Sequence, residues 1–201
     1  MGRSLIAKGS FVLLASAAAA VWAADLDTGI RQVNDKEYAQ AETTLREVVA
    51  AEPDNADANY YLGKALIGEK KYAESEEFLK KAADGKPEAR VALGQAYLMQ
   101  EKIDDAMREF NEAEETQKSN SDLYLYRGMA LLMEGKSAEA AQQLDQAIKL
   151  DGKNAYAHYY MGLAQNNLKH PDLVLKYFRM FLQLDPKAPE AARVRSLLRS
   201  Q

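Results

Sequence analysis

Small and apolar residues recur along this chain at a long, regular interval. Glycine falls at Gly29, Gly63, Gly94, Gly128 and Gly162, with separations of 34, 31, 34 and 34 residues. Twelve residues after each comes Ala41, Ser75, Ala106, Ala140 or Val174. Four further on stands a large apolar residue: Leu45, Leu79, Phe110, Leu144 or Phe178. Three beyond that are Val48, Ala82, Ala113, Ala147 and Phe181, and Pro53, Pro87 and Pro186 lie near segment ends. Self-similarity at a period of this length marks a repeat architecture.

The spacing within each repeat predicts its elements. Apolar positions four and seven residues apart, as in Ala140, Leu144 and Ala147, follow the helical period. The segment around each glycine reads as a helix too, for example Tyr60-Tyr61-Leu62-Gly63-Lys64-Ala65-Leu66. Short polar turns such as Gly68-Glu69-Lys70-Lys71 and Glu134-Gly135-Lys136 separate the two. In the last repeat Pro171 follows Lys169-His170, at a first-turn position where proline costs no hydrogen bond. Each repeat is therefore expected to be a helix hairpin. A glycine inside a helix costs about 1 kcal/mol against alanine, so its recurrence requires a packing reason. The expected reason is close approach of the glycine-bearing backbone to the alanine-bearing one, with the large residue filling the gap beside them.

With these residues the chain resembles the tetratricopeptide repeat family. Leu93-Gly94 with Tyr97, Ala106, Phe110 and Ala113 matches that family's pattern closely, and Leu62-Gly63 with Tyr72, Ala82 and Pro87 matches it well. The resemblance implies an all-α fold, a right-handed superhelical α-solenoid of helix hairpins. Five units are expected within residues 24–188, at 24–55, 56–86, 87–120, 121–154 and 155–188. Residues 189–201 should form a C-terminal capping helix that covers the last apolar face, a reading preferred over a basic recognition helix. There are departures from the pattern. Asp25, Asn59, Arg90, Tyr124 and His158 stand where the family has tryptophan, and Thr28 and Gln32 replace an expected leucine and tyrosine. The 31-residue step predicts a shortened second helix or a tighter turn around Asp84-Gly85-Lys86.

The first residues carry a different pattern. Residues 1–23 have Arg3 and Lys8 but no acid, an apolar run beginning at Phe11, and Val21-Trp22-Ala23 at the end. This is the form of a secretory signal peptide cleaved after Ala23. The fourteen residues from Phe11 to Ala24 fall short of the roughly 20 that a spanning helix needs. An uncleaved anchor or a buried helix is the alternative. The expectation is a periplasmic or secreted protein with no stable membrane span after cleavage.

Composition narrows the chemistry. Past residue 23 the chain has 24 basic and 30 acidic residues, a mild acidity that gives no reason to expect nucleic acid as a partner. The absence of cysteine removes disulfides, thiolate zinc sites and cysteine nucleophiles. The two histidines, His158 and His170, stand twelve apart, outside metal spacing. His158 is expected to pack or to hydrogen-bond in the interior, and His170 to be solvated in a turn. Glu76-Glu77, Asp104-Asp105 and Glu114-Glu115 are adjacent pairs whose side chains diverge by about 100° on a helix, so they are solvated faces and not acid–base dyads. No phosphate loop, nucleophile elbow or zinc-protease motif is present. No catalytic, cofactor-binding or metal-binding residue is expected, and no enzymatic activity.

What remains is binding. In the family, ligands are contacted mostly from first-helix positions three before the glycine and one, four and five after it. Carried over, the resemblance implies a partner surface of Tyr60, Lys64 and Ile67; Val91, Gln95, Leu98 and Met99; Leu125, Met129, Leu132 and Met133; and Tyr159, Leu163, Asn166 and Asn167. Tyr156 extends the row by one turn. About half of the positions carried over from the family are expected to be spent on packing between helices. The surface is apolar and rich in methionine, suited to an extended or helical segment of another protein in a concave groove. The expected function is a non-catalytic interaction scaffold of the cell envelope that supports assembly of a larger complex. A self-assembling homo-oligomeric scaffold is the alternative.

Overall fold

The computed structural model describes residues 25–199. The expected signal segment, residues 1–23, lies outside them. Among the described residues every regular element is a helix. Helix α1 runs through residues 25–34. It is followed by α2 (Tyr38–Ala51), α3 (Ala56–Gly68), α4 (Tyr72–Ala83) and α5 (Glu88–Leu98). Then come α6 (Ile103–Glu114), α7 (Ser121–Met133), α8 (Ser137–Leu150), α9 (Ala155–Asn167), α10 (Pro171–Leu184) and α11 (Ala191–Arg199). Odd-numbered helices α1 to α9 carry the lattice glycines, and the even-numbered helices carry the alanine–leucine columns. The chain divides into two compact parts, one ending at Ala96 and the other beginning at Tyr97.

The second helices bury the residues that the periodicity singles out. Ala41, Ser75, Ala106, Ala140 and Val174, the five large residues, and the five that follow them three later are all essentially inaccessible. Burying a leucine or phenylalanine in this way is worth about 1.5–3 kcal/mol each. In the first part Leu45 packs with Val33, Ala41, Leu62, Ala65 and Leu66. In the second, Leu144 packs with Leu131, Ala140, Ala147, Ala157, Met161 and Ala164.

The reason for the glycines differs in detail from the expected one. Their nearest neighbours are not the small second-helix residues but the large ones sixteen positions on. A Cβ on Gly29 or Gly63 would stand 2.5 Å from Leu45 or Leu79, on Gly128 2.6 Å from Leu144, and on Gly162 2.5 Å from Phe178. Each of these four glycines is the floor on which a leucine or phenylalanine lies. At these four repeats the two columns meet in the same contact.

The hairpin turns carry a second repeated device. Lys36, Lys70, Glu101, Gly135 and Lys169, each seven residues after a lattice glycine, all have φ between 59° and 78°. In each turn the following N–H reaches back five residues, as Lys71 N–H to the Leu66 carbonyl (2.8 Å) and Lys136 N–H to the Leu131 carbonyl (2.8 Å). These are Schellman closures, which satisfy the last carbonyls of a helix through one left-handed residue. Only the fourth turn uses glycine for it. Lys70→Gly is accordingly expected to raise stability by about 0.5–1 kcal/mol, and Gly135→Ala to lower it by about 1 kcal/mol. Urea denaturation midpoints of the two variants, which should move in opposite directions, check this.

The starts of the first helices are set by asparagine. Asn55, Asn120 and Asn154, each eight residues before a glycine, accept hydrogen bonds from Ala58, Asp122 and Ala157 N–H at 3.0, 3.0 and 3.2 Å. Such N-caps are worth about 1 kcal/mol each. The 31-residue step is absorbed by shortening helices. Helix α4 ends four residues past Leu79, whereas α2, α8 and α10 end six past their large residue, and α5 begins one residue nearer its glycine than α3, α7 and α9 do. The loop between them, 84–87, keeps the four residues found at 52–55 and 151–154.

At the C-terminus, α11 lies against the last hairpin. Ala191 and Val194 join Ala188, Val174, Phe178, Phe181 and Tyr159 in one cluster, and Arg195 donates to the Pro186 carbonyl at 2.7 Å. Its arginines Arg193, Arg195 and Arg199 are exposed.

Candidate functional site

The hairpin stacking in the second part leaves a depression between neighbouring first helices α7 and α9. Its walls are Met129, Leu132 and Met133 from α7 and Tyr160, Leu163 and Asn167 from α9, around a volume of about 360 Å³. Spacings of three and four residues put Met129, Leu132 and Met133 on one face of α7. Met129 and Leu132 are half-buried and also pack on the core beneath them. Met133, at the helix end, is 47% exposed. No side chain lining the depression carries a formal charge.

Two polar groups mark its edge. The Tyr160 phenol is half-buried, and burial raises its pKa to about 12, so it stays a neutral donor. Asn167 gives its Nδ2 to Ser137 Oγ (3.0 Å), which leaves Oδ1 as an acceptor at the pocket. Nearby, the Tyr156 hydroxyl donates to Glu190 Oε2 (3.0 Å), and burial together with that carboxylate raises the phenol to about 12. Tyr156, Tyr159, Tyr160 and Phe181 form a cluster of ring contacts with centroids 5.1–6.4 Å apart. This cluster backs the α9 side of the pocket with packed rings.

The sixteen expected partner residues divide by exposure. Val91, Leu98, Leu125 and Tyr159 are buried and serve as packing residues. Tyr60, Lys64, Ile67, Gln95, Met99, Met129, Leu132, Tyr156 and Leu163 are half-buried, and Met133, Asn166 and Asn167 are exposed. Five of them, Met129, Leu132, Met133, Leu163 and Asn167, meet in the pocket. Asn167 and Tyr156 are partly committed to Ser137 and Glu190. Tyr160 was missed, because it sits two residues before the glycine, a position outside the columns used. The run Tyr159-Tyr160 on a first helix was the available signal.

The first part presents a different surface. The Tyr60 and Tyr61 rings meet edge to face at 5.0 Å. Lys64 Nζ lies 5.4 and 5.8 Å from their centroids, and Lys86 Nζ 5.1 and 5.7 Å while also pairing with Asp57 at 2.6 Å. Ammonium groups over aromatic faces are held by the ring quadrupole. This surface is cationic where the α7–α9 pocket is neutral.

The histidines serve structure. His158 is buried, and its Nε2 donates to the Gly152 carbonyl at 3.0 Å. Asn59, in the same column, donates Nδ2 to the Pro53 carbonyl at 2.8 Å, again six residues back. The position that holds tryptophan in the family thus ties each of these first helices to the preceding loop. His170 is exposed, with Nδ1 2.8 Å from Gln165 Oε1. Among the described residues no three metal-ligating side chains converge, and no helix is long and apolar enough to cross a membrane.

Comparisons with known proteins place the fold. The family model described as tetratricopeptide repeat matches residues 26–90, 91–155 and 125–189. Among solved structures, the thermophilic TPR protein TTC0263 of Thermus thermophilus superposes with a TM-score of 0.73 at 18% identity, covering 89% of this chain and 97% of that one. MamA superposes with a TM-score of 0.62 at 22% identity, covering 83% and 92%. YrrB, described as a TPR protein with an unusual peptide-binding site, does so with a TM-score of 0.59 at 18% identity, covering 86% and 90%. No curated protein matches the chain in sequence.

Proposed function

Since the chain belongs to the tetratricopeptide repeat family, as an all-α solenoid of its helix hairpins, we propose that it is a non-catalytic scaffold that holds an apolar, uncharged segment of another protein in the α7–α9 pocket. The observation that carries this is the pocket's composition. Two methionines, two leucines, a neutral phenol and an amide enclose about 360 Å³ without a charge, room for two or three apolar side chains. Methionine adapts to irregular partners, while the tyrosines supply rigid contact area. Tyr160 O–H and Asn167 Oδ1 offer one donor and one acceptor to the partner's backbone. Peptide binding by YrrB is consistent with such a use of the fold.

The N-terminal pattern of Arg3, Lys8 and the apolar run ending in Val21-Trp22-Ala23 supports export to the cell envelope. There the scaffold would serve the assembly of an envelope complex. Intact-mass measurement on protein recovered from the periplasm tests that step. A chain beginning at Ala24 supports export, and one retaining Met1 to Ala23 overturns cleavage.

Self-assembly is the competing reading. Leu173 and Met180, both exposed on α10 and seven residues apart, give it a specific basis. Sedimentation velocity over a concentration series separates the two. A concentration-independent monomer favours a different protein as the partner, and concentration-dependent oligomers favour a second copy.

A further inference from the structure

The chain contains seven methionines and no cysteine, so thioether is its only redox-active sulfur. The methionines differ sharply in setting. Met161 is 3% exposed inside the core of the second part. Met129 is half-buried and packs on that same core. Met133 is 47% exposed, stands outside the core cluster, and forms part of the pocket wall. Met180 is 37% exposed on α10, away from the pocket. Only Met133 among these is both open to solvent and placed so that a change in its polarity alters the pocket without opening the core.

We propose that Met133 is an oxidation site that switches the pocket's affinity for apolar segments; this rests on the reading of the pocket as the binding site. The co-reactant is a peroxide. A sulfur lone pair attacks one oxygen of hydrogen peroxide, the O–O bond breaks and an S–O bond forms, and the departing oxygen takes the proton of the attacked hydroxyl and leaves as water. The thioether loses two electrons and the peroxide gains them. The product sulfoxide is polar and chiral, and it is reversed by sulfoxide reductases, one for each epimer. With no thiol in the chain, the two electrons for reversal come from a separate dithiol, which ends as a disulfide. A sulfoxide at position 133 replaces an apolar thioether by a strongly hydrated acceptor in a wall built mainly of methionine and leucine, and stripping its water against an apolar ligand is costly. Affinity falls about tenfold, while helix content does not change.

The test uses the full chain, hydrogen peroxide, and the neutral solvatochromic dye Nile red as an apolar probe. Peptide mass mapping is expected to show Met133 and Met180 oxidised well before Met161. Dye affinity should fall about tenfold in step with Met133 and recover after treatment with both sulfoxide reductases and dithiothreitol. In Met133→Leu, whatever its starting affinity for the dye, the affinities before and after peroxide should be equal, because the oxidisable sulfur is gone. Met180→Leu should behave as wild type, and Met133→Gln should bind weakly without oxidant. Dye binding unchanged at complete Met133 sulfoxidation, in a protein where Leu132→Glu still abolishes it, overturns the switch and leaves the pocket reading standing. Dye binding that survives Leu132→Glu overturns the pocket reading and the switch with it.

Discussion

Placing two carboxylates in the pocket, by Met129→Glu with Leu132→Glu, is expected to weaken partner binding about a hundredfold or more. Both side chains reach the pocket from α7 and stand on the same face of that helix. The lining holds no cation to pair with a carboxylate, so an apolar partner would have to seat against two charges that must give up water. The partner's own apolar contacts with these positions are lost as well. Both residues also lean on the core, so a stability loss of about 1–2 kcal/mol is expected alongside. The α7 backbone and the Gly128–Leu144 contact are untouched, so the far-ultraviolet circular dichroism should match wild type. Isothermal titration with the captured partner segment, at a temperature where both proteins are folded, measures the effect.

Replacing Gly128 by leucine is expected to cost about 3 kcal/mol and to lower the melting temperature by about 10 °C. Leucine is the better helix former by nearly 1 kcal/mol, so propensity alone predicts the opposite sign. The structure decides between the two effects, since the first added carbon would stand 2.6 Å from Leu144 Cγ. Leu144 is wholly buried among Leu131, Ala140, Ala147 and Met161, so moving it disturbs the core around it. The helices must separate, and the wall of the pocket moves with α7. Gly128→Ala should cost measurably less when Leu144 is already alanine, because the atoms it strikes are gone. That coupling isolates the contact from any general effect of the substitution.

The hairpins were legible because their cores are made of side chains that must recur. At Gly29, Gly63, Gly128 and Gly162 a glycine sixteen residues before a leucine or phenylalanine is a local record of a three-dimensional contact, and the columns Ala41, Leu45, Val48 and their repeats are buried throughout. The physical reason was only half legible, since spacing shows that a small residue is required but not which neighbour lies on it. The Schellman turns went unread because Lys36, Lys70, Glu101 and Lys169 carry the left-handed conformation without the glycine that announces it at Gly135. The site was legible as a set of columns and illegible as a place. Whether Leu125 faces the pocket or the core depends on how far α7 is rotated against α9, which periodicity along one helix does not record. Leu125 is buried, while Met133, eight residues on, is open. Tyr160 enters the pocket from a column that the family pattern does not use.

The most direct measurement is site-resolved photo-crosslinking of the bound partner. A diazirine amino acid is placed singly at Met133, at Leu163, or at Met180 on the outward side of α10. Partner adducts are expected from Met133 and Leu163, with little or none from Met180, and they should be lost when Met129→Glu and Leu132→Glu are added. Adducts forming as readily from Met180, or persisting in the carboxylate variant, would contradict binding in the pocket.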